Sequence, residues 1–232
     1  MKKHAVEPFY RWMASWAIAL RTPADLGYDD AGFHLPPLTI REEVLPITAP
    51  VGDALFPEMG VKGLSGRLAA RRTSLDDRIA TVSRLAANGE QWLLWCGLNE
   101  ESESLASAIP DFVAVNGSDS YGGKVGAVQA FVCGDVRGLI SKIKILGFGM
   151  NFQHCRNMAF VGMSDSYEQY YQGIRRCWRY GQKYQVNVHV VVSEAEKQVV
   201  ENVRRKELAA ANLSGRLLQH MQAFEREEVG AA

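Results

Sequence analysis

The strongest constraint on this chain is a set of short apolar runs, too brief for helices and too continuous for a half-exposed sheet. Trp92-Leu-Leu-Trp-Cys96 contains no polar residue, so a strand built from it must be covered on both faces. Phe112-Val-Ala-Val115, Leu139-Ile-Ser141, Met158-Ala-Phe-Val161 and Val186-Asn-Val-His-Val-Val-Val192 are of the same kind, the last being the clearest. Between them the apolar residues step by three and four. Leu75, Ile79, Val82 and Leu85 form one helical stripe, preceded by the capping residues Thr73 and Ser74 with the first-turn acids Asp76 and Asp77, and closed by Asn88-Gly89. Asn99 is placed to cap a helix through Ala108, which Pro110 ends. After the turn at Asn116-Gly117, a glycine-spaced helix passes through Val125, Val128 and Phe131. Ser166 caps a helix containing Tyr170, Ile174 and Cys177, and Ser193-x-x-Glu196 is a capping box opening a long charged helix toward Gln219. Short strands alternating with amphipathic helices predict an α/β fold with a parallel sheet and helices on both faces.

The N-terminal quarter has another texture. Phe9, Trp12, Met13, Trp16 and Leu20 predict a helix with one apolar face. Five of the eight prolines then fall between Pro23 and Pro50, which argues against a long helix or a central strand there. The boundaries expected are a helix and Pro/Gly-rich connector over residues 1–60, the α/β domain over 61–200, and a helical tail over 201–232. The apolar stretch from Trp12 to Leu20 is nine residues long, well short of the ~20 that span a bilayer, so no membrane segment is expected. Four cysteines stand far apart with no Cys-x-x-Cys pair, which disfavours a disulfide scaffold and fits a reducing cytosol. With 26 Lys+Arg against 26 Asp+Glu, any attraction to nucleic acid must come from local clustering of charge.

One such cluster is Gln172-Gly-Ile-Arg-Arg-Cys-Trp-Arg-Tyr-Gly-Gln182. On a continuous helix Gln172, Arg175, Arg176 and Arg179 share a face, and guanidiniums so crowded repel one another unless an anion lies among them. A solvated basic face is the bland alternative; the flanking Tyr170, Tyr171, Trp178 and Tyr180 favour phosphate. A second stretch, Ser141-Lys-Ile-Lys-Ile-Leu-Gly147-Phe-Gly149-Met-Asn151, holds two glycines that allow close backbone approach to a ligand. Phe152 stands where a dinucleotide fingerprint wants its third glycine, which disfavours a Rossmann-type enzyme. The histidines have no metal-ligand spacing, and Cys177, although beside cations, sits in apolar phase and reads as packing. No Gly-x-x-x-x-Gly-Lys-Ser/Thr occurs: Gly122-Gly-Lys124 is followed by Val125, and no acidic metal-binding box accompanies it.

Together Ser141 with Gly147-Phe-Gly-Met-Asn151, Ser164-Asp-Ser-Tyr-Glu-Gln169 and Gln172-x-x-x-Arg176-x-x-Arg179-x-Gly-Gln182 resemble motifs V and VI of the Swi/Snf-type branch of superfamily-two helicases. The resemblance covers residues 73–192, and its arginine-glutamine motif is the specific part. Arg175 replaces a residue that is often small in that family, and Trp178 one that is often histidine. The stretch from Pro23 through Asp25-Leu-Gly-Tyr28 resembles bacteriophage helicases, which implies a bacterial or phage-infected host cytosol. The resemblance implies a second RecA-like lobe facing an N-terminal ATPase lobe, encoded upstream in the same gene or as a separate subunit. It implies ATP with Mg²⁺ bound mainly by that other lobe, and Arg176 and Arg179 as arginine fingers. Gly147, Gly149, Asn151, Gln172 and Gln182 are then nucleotide-binding, and Ser141 and Lys142 touch nucleic acid, DNA or RNA. A non-catalytic nucleic-acid-binding or regulatory module that retains the lobe is the competing expectation.

Overall fold

The structure is a computed structural model, and it describes residues 5–17, 22–46, 69, 71–147 and 149–230. The chain divides into two compact units, one spanning Leu35–Val203 and one drawn from Met1–His34 with Arg204–Ala232.

The larger unit is built on six parallel strands: β1 (Leu38–Leu45), β2 (Trp92–Cys96), β3 (Phe112–Val115), β4 (Gly138–Lys142), β5 (Asn157–Phe160) and β6 (Val186–Ser193). Their order across the sheet is β1-β6-β5-β2-β4-β3. The connecting helices are α2 (Leu75–Ala86), α3 (Asn99–Ala108), α4 (Tyr121–Cys133), α5 (Ile143–Leu146) and α6 (Tyr167–Ile174), while α7 (Lys197–Gly230) begins here and continues into the smaller unit. Side-chain alternation along each strand sorts the core into two layers. Leu93, Trp95, Leu139, Met158, Phe160, Val188 and Val190 face α4, α5, α6 and the first turns of α7. Trp92, Leu94, Ile140, Ala159 and Val191 face α2 and α3. All five residues of β2 are buried, as a central strand with covered faces requires. The expected α/β class, with helices on both faces of a parallel sheet, is the fold observed.

Two local expectations change. Leu38–Leu45, assigned from its prolines to a connector, is an edge strand parallel to β6. Pro36 and Pro37 precede it and Pro46 follows it, so none breaks its hydrogen-bond ladder. Ser74 makes no side-chain cap to α2, because residues 71–73 are already helical. Other caps hold: the Ser166 hydroxyl accepts from Gln169 N, and Ser193 N donates to the Glu196 carboxylate at 3.2 Å through a 3₁₀ turn that leads into α7.

In the smaller unit, α1 (Val6–Ala14) buries Tyr10, whose ring stacks on His220 of α7 at 5.5 Å. Trp12 and Trp16, assigned to the apolar face, are instead exposed, and Leu20 lies outside the described residues. No helix among the described residues is long and apolar enough to cross a membrane.

Candidate functional site

The two motif stretches are both return segments: residues 147–156 lead from α5 back to β5, and residues 175–185 lead from α6 back to β6. Each starts where a helix stops. A Cβ at Gly147 would collide with the Ile143 carbonyl that Gly147 N bonds at 2.7 Å, so only glycine closes α5 this tightly. α6 ends at Ile174, and the chain continues as turns in which Arg176 N bonds Gly173 O and Cys177 N bonds Ile174 O. The arginines therefore do not share one helical face as a continuous helix would place them. Arg175 turns onto the rings of Trp178 and Tyr171, at 5.3 and 5.9 Å, while Arg176 and Arg179 turn to the glycine loop.

Both of the latter meet the same acceptor, the Met150 carbonyl. Arg176 Nη1 donates to it at 2.8 Å and Arg179 Nη1 at 3.5 Å. Arg176 is the more enclosed, 9% exposed, with Nε on Gln172 O at 3.1 Å and Nη2 on Gln172 Oε1 at 2.8 Å. In return Phe152 N donates to Arg176 O at 2.9 Å, so loop and turn are sewn together. Burial, and then the positive charges of Arg179 and Arg175, lower the pKa of Arg176. Its hydrogen-bond partners are neutral oxygens rather than carboxylates. Two guanidiniums thus converge on one carbonyl with no carboxylate partner among the described residues, an arrangement whose charge an anion can balance.

The other expected nucleotide residues divide. Gly149 has φ +74°, a left-handed conformation suited to glycine, and Asn151 is exposed beside it, bonded to Gln153. Gln182 is buried: its amide donates to Cys155 O and Cys177 O and its Oε1 accepts from Lys183 N and Tyr184 N. Gln182 thus holds the turn, and Gln172 orients Arg176. Phe148 lies outside the described residues. Cys177 is fully buried in the core cluster, as its apolar phase predicts, and burial together with its contact to Cys155 pushes the thiol pKa well above the ordinary value despite Arg176.

Ser141 and Lys142 belong to another part of the fold, the carboxyl end of β4. Ser141 is fully buried and its hydroxyl donates to Val115 O at 2.8 Å. Lys142 Nζ donates to Asn99 Oδ1 at 2.6 Å, at the carboxyl end of the adjacent strand β2. Asn116, which follows β3, sits nearby through the pairing of its Oδ1 with the Ser102 hydroxyl at 3.2 Å. Sequence patterning pointed to Asn99 as a cap and Asn116 as a turn residue, and only strand order brings them beside Lys142. Also unforeseen is a cavity of about 440 Å³ lined by Glu90, Trp92, Arg156, Asn157, Asn187 and His189. Its polar groups bond one another: Arg156 to Glu90, Asn187 to Asn157, Asn157 to Glu90.

Comparison with known proteins follows the same lines. No curated protein matches the chain. The C-terminal part of the Fun30 ATPase domain is similar in structure, 18% identical over 54% of this chain and 45% of that one, with a TM-score of 0.49. A DEAD box protein from the hyperthermophile Methanococcus jannaschii is 20% identical over 56% of this chain and 37% of its own, with a TM-score of 0.50. The E. coli DEAD-box protein SrmB, solved bound to regulator of ribonuclease activity A, is 17% identical over 57% of this chain and 79% of its own, also at 0.50. The chain spans less than half the length of the first two; the likeness to the two DEAD-box proteins, at these identities, speaks for the fold alone. Residues 75–181 match the helicase conserved C-terminal domain, and they run from the first helix of the α/β core through the arginine turn. Over these residues the chain is similar to the conserved C-terminal domain of helicases.

Proposed function

We propose that the chain is the second lobe of an ATP-dependent DNA helicase or translocase, which supplies Arg176 and Arg179 to a nucleotide held by an N-terminal ATPase lobe. The observation that carries the reading is the convergence of both guanidiniums on the Met150 carbonyl, with no carboxylate partner among the described residues. Bound ATP with Mg²⁺ supplies a γ-phosphoryl group that gathers charge as it is transferred, and an arginine finger stabilises such charge by about 10³–10⁵ in rate. Arg179, with one long bond, is free to leave Met150 for a phosphate oxygen, while Arg176, held by Gln172, keeps the loop in register. Gly147, Gly149 and Asn151 lie on the same loop and serve the ribose side of the nucleotide. Lys142, with Asn99 and Asn116, forms part of the track for nucleic-acid backbone at the carboxyl ends of β4, β2 and β3.

The test is reconstitution with the N-terminal ATPase lobe, followed by DNA-stimulated ATP hydrolysis. Arg179→Ala is expected to lower the stimulated rate at least a hundredfold with little change in KM. A stimulated rate unchanged in both Arg176→Ala and Arg179→Ala would show that neither residue is a finger.

A further inference from the structure

The arginine turn is anchored from outside its own loop. Trp178 Nε1 donates to the Pro36 carbonyl at 2.7 Å. The next carbonyl, Pro37 O, accepts from Val186 N at 2.9 Å, and from there β1 pairs with β6 from Leu38↔Val186 to Leu45↔Ser193. The acceptor is stiff, because residue 36 is a proline followed by a proline, which restricts both its φ and its ψ. The same indole is the surface on which Arg175 lies, and such a cation–π contact holds a guanidinium in place. Trp178 also stands between the two residues that converge on Met150, with its own N bonded to Ile174 O at 2.9 Å.

We propose that Trp178 is a positioning residue for the arginine pair, and that the Pro36–Pro37 segment ahead of β1 is part of that site's framework. The indole bond to Pro36 sets the pitch of the turn after α6. The indole face draws the third guanidinium, that of Arg175, away from Met150, leaving Arg176 and Arg179 alone to face the loop. Crowding of a third positive charge into that space would raise the cost of the pair and misdirect it. The proposal deepens the arginine reading given above and rests on it.

The test uses the full chain with inorganic pyrophosphate as probe, titrated calorimetrically at low salt, beside thermal melts. Trp178→Phe keeps the ring against Arg175 but loses the donor, and is expected to weaken pyrophosphate about two- to tenfold, with a melting temperature lowered by only the few degrees that one lost internal hydrogen bond gives. Trp178→His, which retains a ring N–H, is expected to recover most of that loss. Pro36→Gly, which frees the acceptor carbonyl, is expected to weaken binding in the same direction, and decides the matter should Trp178→Phe fail to fold. Wild-type affinity in a folded Trp178→Phe, or in Pro36→Gly if that variant has to stand in, overturns the positioning role. Arg179→Ala is the separate control: if it too binds pyrophosphate like the wild type, the arginine reading itself fails, and the positioning role with it.

Discussion

Arg176 and Arg179 carry the same motif but have different physical positions, and substitution should separate them. Arg176 is 9% exposed and fills acceptors on Gln172 and Met150. Its removal takes a donor from three oxygens in a largely buried setting, at about 1–3 kcal/mol. Among the described residues Arg179 makes a single bond, of 3.5 Å, from a half-buried position, so its removal should stay within about 0.5 kcal/mol. Urea melts of Arg176→Ala and Arg179→Ala check this: equal losses would mean that the two side chains are equally embedded. Gly181 is constrained in a similar way, with φ +90° and the Gln153 side chain 2.8 Å from where a Cβ would stand. That glycine and Gln182 close the turn.

Elements are locked together at the carboxyl edge of the sheet by a buried charge cluster. Glu101 in the first turn of α3 accepts from Gly97 N and Leu98 N at 2.7 and 3.0 Å, closing the turn from β2. Its carboxylate also takes Arg71 at 2.8 Å and Arg78 at 2.9 Å, and Arg78 is bonded onward to Val161 O. Arg71 reaches Glu196, ahead of α7, at 3.6 Å. Burial works against the charge on Glu101, but Arg71, Arg78 and the two backbone N–H groups prevail and hold its pKa below the ordinary 4.5. A carboxyl depressed on folding contributes stability that is present above that ordinary value and is lost as pH falls through the folded one. Glu101→Gln leaves the buried Arg78 guanidinium uncompensated and Arg71 with Glu196 alone, and should cost about 3–5 kcal/mol at pH 7. Below pH 4.5 the stability of the variant should fall less steeply than that of the wild type. Parallel acid slopes in denaturant melts would remove Glu101 from the account.

For the molecule as a whole, charge is balanced, so any attraction to nucleic acid depends on local gathering of cations. If Lys142 contacts backbone phosphate, Lys142→Ala should weaken binding to single- and double-stranded DNA alike and reduce the slope of log affinity against log salt by about one. An unchanged slope would place the track elsewhere. The amino-acid order alone determined the alternation of strands and helices, because an unbroken apolar run such as Trp92–Cys96 can satisfy its surface only inside a layered sheet. It also determined the arginine-glutamine motif, since the types and spacing of Gln172, Arg176, Arg179 and Gln182 are visible without coordinates. Tertiary structure alone decided which guanidiniums point together, because the end of α6 at Ile174 breaks the helical phase that spacing assumes. It likewise decided that Leu38–Leu45 is a strand and that Ser141 is enclosed. An edge strand draws its stability from its neighbour β6, and Ser141 is covered by β3; neither partner is local in sequence.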